Sequence, residues 1–190
     1  FGGTAVAPAG QPTIKGTASA NIDYSPWLAT GTDTDEGALG FAGDYSALWV
    51  DDDSPTSGAA GHIQEGVDPA TDGGTVNVAA GTYSEPGQTV IAKSISLVGA
   101  GADTTTIRPT QNTASSGNGR GWFLINGGVA FNASGLTFDG EGFNIMQGIR
   151  SFGTGTIQGC TVRNIVYPGY NGLGIVLFAL TLAQLAASRR

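Results

Sequence analysis

The chain has one cysteine, one histidine, one methionine and two lysines among its 190 residues, and only 12% of its residues are charged. Its one thiol, Cys160, cannot form an internal disulfide, so no covalent staple holds a single chain together. Poverty in Glu, Lys and Leu removes the residues that fill ordinary helices. No run of Lys or Arg occurs in the body of the chain, and 15 acidic against 8 basic residues give a formal charge of −7. Nucleic-acid binding is disfavoured, because nothing here releases counterions from phosphates in quantity. The lone histidine, His62, has no Ser or Cys partner by motif and is read as a satisfied helix-end residue. What is abundant is glycine, 32 residues, beside 40% hydrophobic residues, enough to fill a narrow continuous core. An all-β chain is expected, either one domain or a piece of a larger repetitive protein.

The stretch from His62 to Pro109 carries the architecture. Thr75-Val76-Asn77-Val78 alternates polar and apolar residues, Gly81-Thr82-Tyr83 is read as a turn, and Val90-Ile91 and Ser94-Ile95-Ser96-Leu97-Val98 are short strands. Gly99-Ala100-Gly101 then breaks the run. No strand here is long enough to stand alone. With Ile63, Gln64, Gly66 and Val67 ahead of A-G-T-Y-x-E (Ala80 to Glu85), K-S-I-x-L (Lys93 to Leu97) and G-A-G-x-x-x-T-x-I (Gly99 to Ile107), the stretch resembles the first coils of the pectin-lyase-like superfamily. That superfamily includes pectin methylesterases, a periplasmic copper-site maturation protein with carbohydrate-binding repeats, and many bacterial surface β-helices. The resemblance covers about a quarter of the chain and implies a right-handed parallel β-helix with a short capping helix at its open end. It says little of function, since the same coils precede enzymes and non-enzymes.

Further strands are expected at Trp122 to Ile125, Val129 to Phe131 and Leu136 to Phe138, after the polar loop Gln111 to Gly121. Leu136-Thr137-Phe138 recurs 24 residues on as Cys160-Thr161-Val162, a period that suits one coil. About five coils fit between His62 and Val176. Alternation points Cys160 inward with Val162 as a small buried hydrophobe.

Such a stack has two ends, each with unpaired backbone that must be covered or will recruit another strand. The helix at Ile63 to Val67 covers the first. Near the second lies an apolar run, Leu173 to Leu185, followed by Ala186-Ala187-Ser188-Arg189-Arg190. It is short for a transmembrane helix, which takes about 20 residues. A sorting tail ending in arginines is a second reading, and membrane contact is expected only on those two. The favoured reading makes residues 177–190 a cap or intersubunit segment, rich in good helix formers.

The N-terminal residues 1–28 hold Asn21-Ile22-Asp23-Tyr24-Ser25-Pro26-Trp27-Leu28. This resembles the phrase N-x-D-Y-S-P-W-L that closes many bacterial β-helix domains of that superfamily. An ending phrase therefore precedes a beginning phrase, as in a cut across the junction of tandem β-helices. It suggests that Ile22, Tyr24, Pro26, Trp27 and Leu28 of one chain meet Val176, Leu177 and Phe178 of the next, propagating into filaments. The alternative is intramolecular, with Trp27 and Trp49 burying their rings against the chain's own outer sheet.

Residues 29–61 read as an acidic linker. Asp33 and Asp35, and Asp51 to Asp53, offer oxygens that could meet calcium, but neither set completes an EF-hand loop, so solvated turn acids are expected. The catalytic aspartate segment of the pectin methylesterases has no counterpart; Asp139 and Glu141 are nearest, two residues apart in what reads as a turn. Lys93, Arg108, Arg120, Arg150 and Arg163 have no acid that spacing places beside them as a lyase would need. No catalytic residue, metal or cofactor is assigned. Tyr83, Tyr167 and Tyr170 are candidate exposed aromatics for a glycan. The chain starts at Phe1 with no visible signal peptide, which reads as processed or excised. The expectation is an extracellular or cell-surface β-helix module of bacterial or archaeal type, not an enzyme, structural and self-associating end to end, with a carbohydrate-binding or carbohydrate-active protein as the alternative.

Overall fold

The computed structural model describes residues 27–29, 34, 35, 37, 42–52 and 62–178. Two strands, β1 (Trp27–Leu28) and β2 (Ala47–Val50), precede one short helix, α1 (His62–Val67). Twelve strands follow: β3 (Gly74–Val78), β4 (Gly81–Glu85), β5 (Thr89–Ile91), β6 (Ile95–Gly99), β7 (Thr105–Pro109), β8 (Gly121–Ile125), β9 (Ala130–Ser134), β10 (Thr137–Asp139), β11 (Gln147–Ser151), β12 (Thr154–Gln158), β13 (Thr161–Arg163) and β14 (Leu173–Leu177). A single 3₁₀ turn, Asn118–Arg120, sits between β7 and β8.

The strands form a six-stranded sheet in the order β1-β2-β3-β6-β9-β12 and two four-stranded sheets, β4-β7-β10-β13 and β5-β8-β11-β14. Among the described strands only β1 and β2 pair antiparallel; the other ladders are parallel. Every third strand from β3 onward returns to the same sheet, so the chain visits the three sheets in rotation four times. This is an all-β architecture of stacked parallel sheets, consistent with a parallel β-helix. Where the sequence leaves room for about five coils, the described residues hold four full turns plus β2, because the loop after β7 lengthens the second turn. β2 lies inside the stretch read as a linker, yet it pairs with β3 from Ala47↔Thr75 to Val50↔Val78, so the sheet begins before His62. Gly81-Thr82-Tyr83 is not a turn but the start of β4. The span read as the C-terminal cap contributes Leu177 to β14, and its residues 179–190 lie outside the described residues.

Columns of inward side chains, one residue per turn, make the core. Tyr83 pairs with Ile107, Ile107 with Phe138 and Phe138 with Val162. In the next sheet Thr89, Phe123, Ile149 and Ile175 follow one another. The recurrence of Thr137-Phe138 as Thr161-Val162 is therefore a true register pairing. Rings from adjacent columns meet edge to face, Phe123 and Phe138 with centroids 5.0 Å apart at 86°, the arrangement that ring quadrupoles favour.

The first end of this core is closed by α1. Ile63 and Val67 are fully buried, and a β-carbon on Gly66 would come within 2.7 Å of Val50 Cγ1, so only glycine lets the helix sit this close. The Ile63 amide donates to Glu85 Oε1 at 3.0 Å. Gln64 accepts from the Val90 amide at 2.8 Å and donates to the Val90 carbonyl at 3.3 Å, doing for the edge of β5 what a neighbouring strand would. Lys93 Nζ donates to the carbonyls of Asp68 and Ala70 at 2.6 and 2.7 Å, where the chain leaves the helix.

Candidate functional site

The last turn, β12 to β14, has no such cover among the described residues. Ile149 is fully buried, but its successor in the column, Ile175, is 43% exposed, and Leu177 beside it is 68% exposed. Ile157 stacks on the buried Ala133 and is only half-buried. Together with Phe131, Ile149 and Gly155 these residues line a mainly apolar groove of about 350 Å³, to which Ser151 and Thr154 add polar atoms. Gly155 is required there: its φ of +133° disfavours any side chain, and a β-carbon would overlap the Phe131 carbonyl oxygen. From Thr154 to Phe178 the only charged residue is Arg163.

Beyond β14, Phe178 stacks on Phe152 with centroids 4.8 Å apart. The guanidinium carbon of Arg150 lies 4.2 Å from the Phe178 ring centroid and 4.9 Å from that of Phe152, a cation–π arrangement. Arg150 is largely buried, donating to Gln147 Oε1 at 2.9 Å and Asn118 Oδ1 at 3.4 Å. Burial, and then the neighbouring Arg120 charge, lower its pKa from the usual value. Of the contact residues expected from sequence, Val176, Leu177 and Phe178 thus share this end, with Leu177 and Phe178 exposed. Trp27 and Leu28 sit at the opposite edge of the six-stranded sheet, paired with Trp49 and Leu48 of their own chain. Ile22, Tyr24 and Pro26 lie outside the described residues, as does the side chain of Trp27.

Asp139, the carboxylate nearest in the sequence to a catalytic aspartate segment, stands at the centre of a cluster of contacts between turns. Its column places Arg163 on the next turn. Arg163 Nε and Nη2 donate to Asp139 Oδ2 at 3.1 and 3.0 Å, Asn164 Nδ2 donates to Oδ1 at 2.7 Å, and the Glu141 amide donates to Oδ1 at 3.1 Å. Arg108 Nη2, on the preceding turn, stands 3.5 Å from Asp139 Oδ2 and 3.3 Å from Glu141 Oε2. Burial pushes the Asp139 carboxyl upward, but the hydrogen bonds from Asn164, Arg163 and the Glu141 amide, with the Arg163 charge, outweigh it and hold the group below its ordinary value. Both oxygens of the carboxylate are engaged by donors. It ties three turns together. Asn164 makes its bond from a left-handed backbone, φ +55°, which asparagine tolerates better than most residues.

The remaining expectations fall in several places. Asp52 Oδ2 accepts from the Thr82 amide at 2.6 Å, beside the start of β4. No group of three His, Cys, Asp or Glu side chains suited to a metal ion occurs among the described residues, and Asp33 and Asp53 are not among those. Tyr83 is not an exposed platform: it is fully buried, because β4 turns it into the core, and its hydroxyl donates to the Ala79 carbonyl at 2.8 Å. Tyr167 and Tyr170 do share one loop, their centroids 5.9 Å apart beside an open cleft that Asn144 and Asn171 also line. Cys160 is partly buried against the core, and burial pushes its thiol above the usual value against weaker hydrogen bonds from the backbone of Leu136 and Gly135. The side chain of His62 lies outside the described residues. Among the described residues no helix is long and apolar enough to cross a membrane.

Searches against protein-family models, curated proteins and solved structures each returned no match to this chain. The candidate site therefore rests on the geometry of the uncovered turn.

Proposed function

We propose that the chain is a structural module, a right-handed parallel β-helix of the pectin-lyase-like kind displayed outside the cell, that associates end to end through its last turn. The observation that carries this reading is the asymmetry of the core: its first end is closed by α1, while its last ends in the exposed apolar residues Ile175 and Leu177. Apolar surface of this kind, next to strand edges that pair with no further strand among the described residues, favours the docking of further chain. The chemistry of the surroundings agrees, since Asp139, a fully buried acid, joins neighbouring turns in a clamp.

Size-exclusion chromatography with light scattering tests the reading directly. The expected result is a mass above the 19.1 kDa of one chain that returns to it when Leu177 is replaced by lysine. A single 19.1 kDa species at high concentration would sink the proposal.

A second reading is favoured by one observation, the Tyr167 and Tyr170 ring pair, of which Tyr170 is 62% exposed beside Asn144 and Asn171. Aromatic faces flanked by amides suit a sugar ring, which presents C–H faces and hydroxyl edges together. On a glycan array this reading expects binding without turnover that Tyr170→Ala abolishes.

A further inference from the structure

Resting on the end-to-end reading, we infer that the occupant of the last turn is a second copy of this chain, bound about a two-fold axis, so that association stops at a dimer instead of growing into a filament. Growth requires that the last turn of one molecule find an apolar partner surface at the first turn of the next. Among the described residues, that surface is occupied. Ile63, Val67 and Ala70 are fully buried between α1 and the first strands. The parallel ladder of the six-stranded sheet is also terminated there, since β1 runs antiparallel to β2.

The last turn, in contrast, is complementary to itself. A two-fold axis through the middle of β12 lays that strand antiparallel on its own copy, and the same rotation exchanges the other two sheets, placing β13 of one copy on β14 of the other. Antiparallel pairing satisfies both edges. Ile157, Ile175 and Leu177 of the two groove linings then cover one another. Neither β12, Thr-Gly-Thr-Ile-Gln, nor β14, Leu-Gly-Ile-Val-Leu, carries a charge or a proline. These are the devices with which proteins block edge pairing. Two chains of formal charge −7 repel at a distance, but the one charge of this face, Arg163, is held by Asp139 at 3.0 Å.

Sedimentation equilibrium of the full chain over a wide concentration range tests the geometry. The expected outcome is a mass that saturates at twice 19.1 kDa, with Thr156→Lys and Leu177→Lys each weakening association at least tenfold at unchanged circular dichroism. Polymers that lengthen with concentration would keep the end-to-end reading and overturn the two-fold. Monomers throughout overturn both. A chain that dimerises only after removal of residues 179–190 would make that segment the occupant and overturn the inference as well. Independently, with Cys160 replaced by serine, single cysteines at Thr154, Thr156 and Gln158 are oxidised mildly. Thr156→Cys, on the axis, is expected to link two chains, because a residue opposed to its own copy lies within disulfide reach, whereas positions 154 and 158 face each other and link alone only if the axis is shifted along β12. A cysteine at Thr82, exposed on β4, serves as the control expected to stay unlinked. Failure at all three β12 positions overturns the β12 pairing.

Discussion

Asp139 shows how much a single side chain can be asked to do in a stack of short strands. It is buried, yet it receives hydrogen bonds from Arg163, Asn164 and the Glu141 amide and stands against Arg108. Because its folded pKa lies below the ordinary 3.8, the clamp's contribution is present above the unfolded value and is lost as the pH falls through the folded one. Asp139→Asn is expected to cost about 1–3 kcal/mol at neutral pH. In urea unfolding followed at several pH values, that difference should narrow toward acid, and an unchanged difference at every pH would contradict the clamp. Cys160 offers a second check at this scale. With its thiol pushed up by burial, it should react with a thiol-labelling reagent at mildly alkaline pH more slowly in the folded protein than in urea. Equal rates would mean that the thiol is not sheltered.

At the scale of elements, α1 is held less by its own length than by three side chains reaching across turns. Gln64→Ala strips both the Val90 amide and its carbonyl of their partners, and about 1–3 kcal/mol of unfolding free energy should go with them. Chemical denaturation measures it; a neutral substitution would mean that water replaces the amide without loss. The phrases that mark the entrance are legible in the sequence because each of their polar residues has a fixed structural errand: Gln64 at an edge, Glu85 at the Ile63 amide, Lys93 at the helix exit. The pairing of Thr137-Phe138 with Thr161-Val162 is legible for a related reason, since one period carries a residue to the place directly above it. β2 is not. Its four residues, Ala47 to Val50, are too few for alternation to stand out before the acids that follow. Tyr83 misleads because Gly81 signals a turn, whereas the backbone is already extended there and the ring faces inward. The Asp139 clamp is hidden for a third reason: its partners are 24 and 25 residues away in sequence, so they meet only after the turns have stacked.

For the whole molecule, the formal charge of −7 and the near-neutral last turn lead in opposite directions. Long-range repulsion between copies is screened by salt, while apolar contact and strand pairing are not. Association should therefore strengthen from low to high ionic strength in sedimentation experiments, and weakening would point to a contact built on ion pairs instead. The longer second turn has a consequence of another kind. Its extra length is gathered in the loop between β7 and β8, which is anchored at Thr113 and Asn118 but exposed from Ala114 to Gly117. The turns stack equally well with or without such an excursion, and adding residues to an exposed loop costs little, since closure entropy grows only with the logarithm of length. That corner is a ready attachment point, where a foreign peptide or a small folded domain could be carried while the columns beneath it keep their spacing.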